Sequence, residues 1–182
     1  MHLNKESGLI EGAQYFASPN CDEREQHLAP EAIVLHCISL PPGDYYGDAI
    51  TQFFCNELDC SGHAYFEQIS SLRVSAHFLI RRDGQLIQYV STKLRAWHAG
   101  ESFCLGKPKV NDFSIGIELE GLDTDPAGYE DRQYEKLNQL LLCLLDAYPS
   151  IKKHAIFAHS DIAPGRKPDP GPFFDWSQID FS

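Results

Sequence analysis

Phe113 to Glu120 reads FSIGIELE, and its alternation decides the fold. Phe113, Ile115, Ile117 and Leu119 fall on one side of an extended chain; Ser114, Gly116, Glu118 and Glu120 fall on the other. An apolar strand face needs a second layer to cover it, and one follows within a few residues. From Asp131 to Tyr148, Tyr134, Leu137, Leu141, Leu144 and Leu145 recur at helical spacing, and Pro149 ends the run. Upstream, Leu72–Ile80 and Gln85–Val90 flank Arg81-Arg82-Asp83-Gly84, where an Asp-Gly pair between two apolar runs predicts a β-hairpin. Ala32–Ile38 (AIVLHCI) predicts a further strand, with Ile33, Leu35 and Cys37 on one face and Val34, His36 and Ile38 on the other. Asp48–Leu58 predicts a short helix with Asp48 as its N-cap, and Ala155–Ala158 a short strand. The expectation is an α/β fold, a mixed central β-sheet flanked by helices, with 1–182 as a single domain. Residues 1–31, polar and broken by Ser18-Pro19-Asn20, are expected to lie over its surface as an irregular arm.

Composition narrows the class. The chain has 182 residues, 43% of them hydrophobic, which is enough for one well-packed core. A formal charge of -11 argues against nucleic acid as a partner. From Arg73 to Lys109, seven basic residues stand against two acidic ones, Asp83 and Glu101. That segment suits a small anionic ligand, although most charge runs are simply solvated faces. Six cysteines with no CxxC pair, in a chain this long, predict free thiols rather than a disulfide scaffold. The start MHLNKESGLIEGAQYF has no apolar h-region, and nothing approaches a span of about 20 apolar residues. A cytoplasmic protein without a membrane partner is expected.

The chemistry gathers near the C-terminus. His159 to Phe173 reads HSDIAPGRKPDPGPF, with four prolines and two glycines, the composition of a stiff, shaped loop rather than a helix or strand. It carries His159, Asp161, Arg166, Lys167 and Asp169. Histidine and aspartate are common zinc ligands, and a basic side chain beside a metal can stabilise an oxyanion. The same residues also serve ordinary roles: a satisfied histidine, or an Asp before Pro that shapes a turn. His36 lies on a strand, where a lone histidine is more often a hydrogen-bonded core residue. Two histidines and one carboxylate (His36, His159, Asp169) would leave a fourth tetrahedral position for water, as in catalytic zinc sites. Glu118, on the polar face of its strand, is then either solvent-facing or a general base facing a cleft. Lys93–Phe103 (KLRAWHAGESF) reads as a loop in which Trp97 and His98 either anchor the chain or wall a ligand site. Spacing alone does not join His36 to His159, and no HExxH is present.

The segments VLHCISLPPG, LRVSAHFLIRRDGQLIQYV, RAWHAG, NDFSIGIELEG and AHSDIAPGRKPDPGPFFDW, taken together and in order, resemble the AmpD-type 1,6-anhydro-N-acetylmuramyl-L-alanine amidases. The similarity runs over nearly the whole chain. That family shares its fold with peptidoglycan recognition proteins and phage amidases. The resemblance implies one zinc ion held by His36, His159 and Asp169, with catalytic roles for Glu118 and Lys167. It implies Trp97, His98, Arg73, Lys109 and Arg166 as contacts for sugar or peptide, and a structural or supporting role for His77. The implied reaction is hydrolysis of the amide between anhydro-N-acetylmuramic acid and L-alanine in small muropeptides, by a monomer, during peptidoglycan recycling. Cys37, where other members carry a small polar residue such as Asn, puts a substrate hydrogen bond from that side chain in doubt. Two other readings stay open: a peptidoglycan-binding protein without activity, and a secreted amidase acting on intact wall.

Overall fold

The structure is a computed structural model and describes residues 1–25 and 28–181. Four short strands come first: β1 (Leu3–Asn4), β2 (Leu9–Ile10), β3 (Gln14–Tyr15) and β4 (Cys21–Glu23). The long strand β5 (Ala32–Ile38) leads to helices α1 (Ala49–Phe54) and α2 (Ala64–Ile69) and then to the hairpin β6 (Phe78–Ile80) and β7 (Leu86–Gln88). Next come β8 (Leu94–Ala96), β9 (Phe103–Cys104), β10 (Lys107–Pro108) and β11 (Ser114–Glu120). Helix α3 (Asp131–Ala147), β12 (Ile156–Ala158) and the one-turn helix α4 (His159–Ile162) follow.

The main sheet has the order β12-β5-β11-β6-β7-β3. β12, β5, β11 and β6 are mutually parallel, β7 returns antiparallel to β6 through the Asp83-Gly84 turn, and β3 lies parallel to β7 at the edge. It is the mixed sheet that the sequence predicts, in an α/β fold. The apolar face of β11 packs Ile115, Ile117 and Leu119, with Ile33 and Leu35 of β5, beneath Tyr134, Leu137, Leu140, Leu141 and Leu144 of α3. At the start of that helix the Glu130 N–H donates to Gln133 Oε1 (3.1 Å), one half of a capping box. The Gln133 amide also donates to the carbonyls of Ile80 (3.2 Å) and Glu120 (3.0 Å), which ties the helix to the ends of β6 and β11.

The other face of β11 is not open to solvent. Ser114, Gly116 and Glu120 are buried, and Val34 beside them packs with Ala99, Val110, Phe113 and Ile162. Helices α1 and α2 cover the next part of that face with Phe53, Phe54, Phe66 and Ile69 against Leu79, Ile87 and Tyr89.

Several expectations need correction. Residues 1–31 are not an irregular arm, although residues 26–27 lie outside the described ones. Leu3 and Ile10 belong to the core, and the buried Gln88 side chain accepts from Ile10 N (2.8 Å) and donates to Gly8 O (2.9 Å). Asp48 makes no side-chain capping bond, and the helix after it stops at Phe54. Asn56, at φ 61, turns the chain out of the helical path. The hairpin and α3 stand where the periodicity puts them, with shorter strands in the hairpin. All six cysteines are free.

Candidate metal centre and active site

Because β5, β11 and β12 are parallel, their carboxyl ends share one rim, the usual place for a ligand on such a sheet. Register sets Glu118 beside His36, and Ala158 beside Leu35, so His159 arrives next to His36 as the first residue of α4. The start of the predicted loop is thus a helical turn. The proline-rich stretch beyond it returns Asp169 to the same point, where its carbonyl accepts from Ser160 N (3.0 Å). His36 Nδ1 and His159 Nδ1 stand 2.8 Å apart, and Asp169 Oδ2 is 3.2 Å from the first and 2.9 Å from the second. Among the described residues, no other trio of His, Cys, Asp and Glu side chains converges this way.

Each ligating candidate is held from behind. His159 Nε2–H donates to Ala99 O at 3.2 Å. Arg166 Nη2 donates to that carbonyl and to Glu101 O, both at 2.6 Å. His36 Nε2 faces His98 Nδ1 at 2.9 Å. Burial pulls His36 down to about 4, against the opposing effect of the Asp169 carboxylate. Burial alone would raise Asp169, but the imidazoles of His159 and His36 that face it outweigh that and hold the carboxyl far below the usual range. A neutral imidazole and an ionised carboxylate converging on one point are the donor set of a divalent ion such as zinc.

Glu118 is held the opposite way. Burial, then the Asp169 charge, push it well above the ordinary carboxylate range, and Lys167 only partly opposes them. Its Oε2 is buried and has no hydrogen-bond partner. Such an orphaned acceptor beside the converging donors fits a reacting group that arrives with metal and substrate. Lys167 is exposed, and among the described residues no ion pair engages its ammonium.

These groups line a cleft of about 410 Å³, a volume suited to a small molecule. His36, Glu118, His159, Lys167 and Asp169 contribute its polar part. Leu40, Phe53, Tyr65, Ile69 and Trp97 contribute an apolar wall. Sequence reasoning missed Phe53, Tyr65 and Ile69 in that wall, because α1 and α2 are too short for their buried positions to show a clear period. Trp97 and His98 line the cleft, and so does Cys37, whose thiol burial pushes up to about 12.

Three predicted substrate contacts do not reach it. Arg73 is exposed and donates to Ser70 O and Leu72 O. Lys109 is exposed, with a left-handed backbone at φ 58 that opens a 3-10 turn. Arg166 is spent on the loop carbonyls. Most of the basic segment is likewise paired internally: Arg81 with Glu120, Arg82 with Glu130, Arg95 with Asp22 and Asp112, and Lys107 with Glu31. His77 is structural: fully buried, it accepts from Gly116 N (3.0 Å) at Nδ1 and donates to Leu94 O (3.1 Å) from Nε2.

Fold and site together define an amide-bond hydrolase. The chain belongs to the N-acetylmuramoyl-L-alanine amidase family, whose model matches residues 26–172. The 1,6-anhydro-N-acetylmuramyl-L-alanine amidase AmpD of Escherichia coli (strain K12) is 49% identical over 174 residues, 96% of this chain and 93% of that protein. The crystal structure of a Se-Met AmpD derivative matches with a TM-score of 0.94 at 46% identity, over 98% of this chain and 97% of that one. A complex of the E. coli amidase AmiD with anhydro-N-acetylmuramic acid-L-Ala-D-gamma-Glu-L-Lys matches more distantly, with a TM-score of 0.62 at 26% identity, over 94% of this chain and 59% of that one. No helix among the described residues is long and apolar enough to cross a membrane.

Proposed function

We propose that this chain hydrolyses the amide between the lactyl group of 1,6-anhydro-N-acetylmuramic acid and L-alanine in small muropeptides, with zinc as cofactor. The observation that carries the zinc reading is the convergence of three donor atoms beside an unpartnered Glu118 oxygen. The substrate is carried over from the AmpD and AmiD relatives. His36, His159 and Asp169 would hold one zinc ion. Zinc, when bound, supplies Lewis acidity to the carbonyl and makes water a better nucleophile near neutral pH.

The rest is work for the chain's own side chains. Glu118 Oε2 accepts the proton of the attacking water and delivers it to the leaving nitrogen of L-alanine. The raised proton affinity that burial gives it in the metal-free chain suits the delivery half of that task, and a bound cation would favour the ionised form that the first half needs. The Lys167 ammonium donates to the lactyl carbonyl oxygen as charge develops there. The apolar wall of Leu40, Phe53, Tyr65, Ile69 and Trp97 takes the less polar faces of the substrate and keeps bulk water back. The reaction belongs to peptidoglycan recycling, carried out by a monomeric, single-domain cytoplasmic protein.

Mass spectrometry of products from anhydro-muropeptides tests this directly. Free anhydro-N-acetylmuramic acid and stem peptide should appear, disappear after chelation and return with added zinc. Turnover that survives complete removal of metal overturns the zinc reading. Comparable turnover on purified sacculi would favour an enzyme of intact wall.

A further inference from the structure

We infer that Ser114 and His98 form a hydrogen-bond relay that fixes the tautomer of His36 and leaves its Nδ1 lone pair free for the metal. The inference rests on the zinc reading above. It starts from a buried hydroxyl. Ser114 Oγ lies 2.6 Å from Val110 O and 3.0 Å from His98 Nε2. A carbonyl can only accept, so the hydroxyl proton goes to Val110. Ser114 then has only lone pairs to offer, and His98 must carry its proton on Nε2.

A neutral His98 with Nε2–H has a bare Nδ1. That atom is 2.9 Å from His36 Nε2, so His36 donates from Nε2. His36, neutral in turn, has a bare Nδ1 pointing at His159 Nδ1 and Asp169 Oδ2. His159 reaches the same state in one step, through Nε2–H to Ala99 O. Both imidazoles therefore present Nδ1 lone pairs to the same point, and the relay explains why His36 does. Outer partners of this kind set which nitrogen of a metal-binding histidine is available.

The relay is built rather than incidental. The backbone N–H groups of His98 (3.1 Å) and Ala99 (2.8 Å) both donate to Asn111 Oδ1, which fixes the start of the loop. A Cβ on Gly116 would sit 2.5 Å from His98 Cγ, so a glycine at that place in β11 makes room for the ring. His98 and Ser114 are thus positioning residues that act through His36.

Chelator competition on the zinc-loaded protein tests the relay, together with long-range ¹⁵N–¹H spectra of its histidine rings. Ser114→Ala and His98→Leu should each weaken zinc binding, by roughly the 10–100-fold typical of lost outer partners. His98→Asn should restore most of the affinity, because its Oδ1 stands near the place of Nδ1 and can accept from His36. A lost fold would weaken zinc in all three variants alike, and the rescue by Asn separates that case. In the unmodified, zinc-loaded chain the spectra should show His98 protonated at Nε2 and bare at Nδ1. The opposite tautomer, or a Ser114→Ala chain that holds zinc as tightly as its parent, overturns the relay. A parent chain that takes up no zinc overturns the metal reading itself, a different failure from either of these.

Discussion

Burial acts in the same direction on both carboxylates of the cleft, yet Asp169 and Glu118 end on opposite sides of the ordinary range. The difference lies in their neighbours: Asp169 has two imidazoles within hydrogen-bond reach, and Glu118 Oε2 has no partner. On the proposed reading, two acids pushed apart in this way would take different tasks, one as ligand and one as proton carrier. Asp169→Ala should accordingly weaken zinc, as seen by metal analysis, and full, tightly held zinc in that variant would remove Asp169 from the ligand set. Glu118→Gln should fold, keep zinc and lose ~10²–10⁴-fold in turnover. Lys167→Ala should do the same with a loss of about 10²–10³-fold. Metal content, melting and single-turnover kinetics on the same preparations check both variants, and loss of zinc in either would make that residue a ligand or a support. The raised Glu118 also has a stability signature in the zinc-free chain. Below the unfolded carboxyl value, about 4.3, the group is neutral in both states and costs nothing. As pH rises past that value the unfolded chain releases the proton and the folded chain keeps it, so stability falls with pH. Denaturant titrations from pH 4 upward should show this slope in the parent and a flatter one in Glu118→Gln. At this scale the positions of His36, Glu118, His159, Lys167 and Asp169 around one cleft were legible because they sit in long, ordered motifs. Arg73, Lys109 and Arg166 were not, since a cation's partner here is a carbonyl or carboxylate that no local pattern reveals.

Strand β11 shows what periodicity can and cannot deliver. The alternation of FSIGIELE separates the residues under α3 from those on the opposite face, and the structure keeps that division from Ser114 onward; Phe113, still in the 3-10 turn before the strand, packs with Val34 and Ala99 on the opposite side instead. What covers the polar face is a matter of long-range packing: the segment from Leu94 to Phe113 folds back over Ser114 and Gly116, and Glu118 lines the cleft. The clue available in the sequence was the glycine, since a glycine inside a strand often marks close approach by another group. Gly116→Ala should therefore strain the His98 ring and cost roughly the 1–3 kcal/mol of an overpacked core. Denaturant unfolding would measure that, with weaker zinc retention alongside; an unchanged midpoint would mean that the ring has room to shift. The two-residue strands β1, β2 and β3 were illegible for a simpler reason. Two residues carry no period, and their place in the fold is set by distant partners such as Gln88 and Thr92, each of which donates to Gly8 O.

Over the whole molecule the charge is -11, and the basic stretch suited to an anionic substrate is largely paired within the chain. A muropeptide rich in carboxylates therefore approaches a surface of like sign. Added salt should screen that repulsion, and kcat/KM should rise with ionic strength at low salt. A steady fall with salt would instead mean that unpaired cations guide the substrate. The last consequence concerns the sheet's border. Gln14 and Tyr15 zip onto Ile87 and Gln88, and Phe16 N and Ser18 N continue the seam by donating to Gln88 O and Tyr89 O at 3.0 Å each. An uncovered strand border is a template on which another chain can add itself. Phe16→Pro, which removes a seam donor and leaves Leu3 and Ile10 in the core, should loosen that border, and light scattering should show the variant clustering where the parent does not. The opening stretch, far from the chemistry, would then act as the selvedge of the sheet, the bound hem that stops one molecule from being woven into the next.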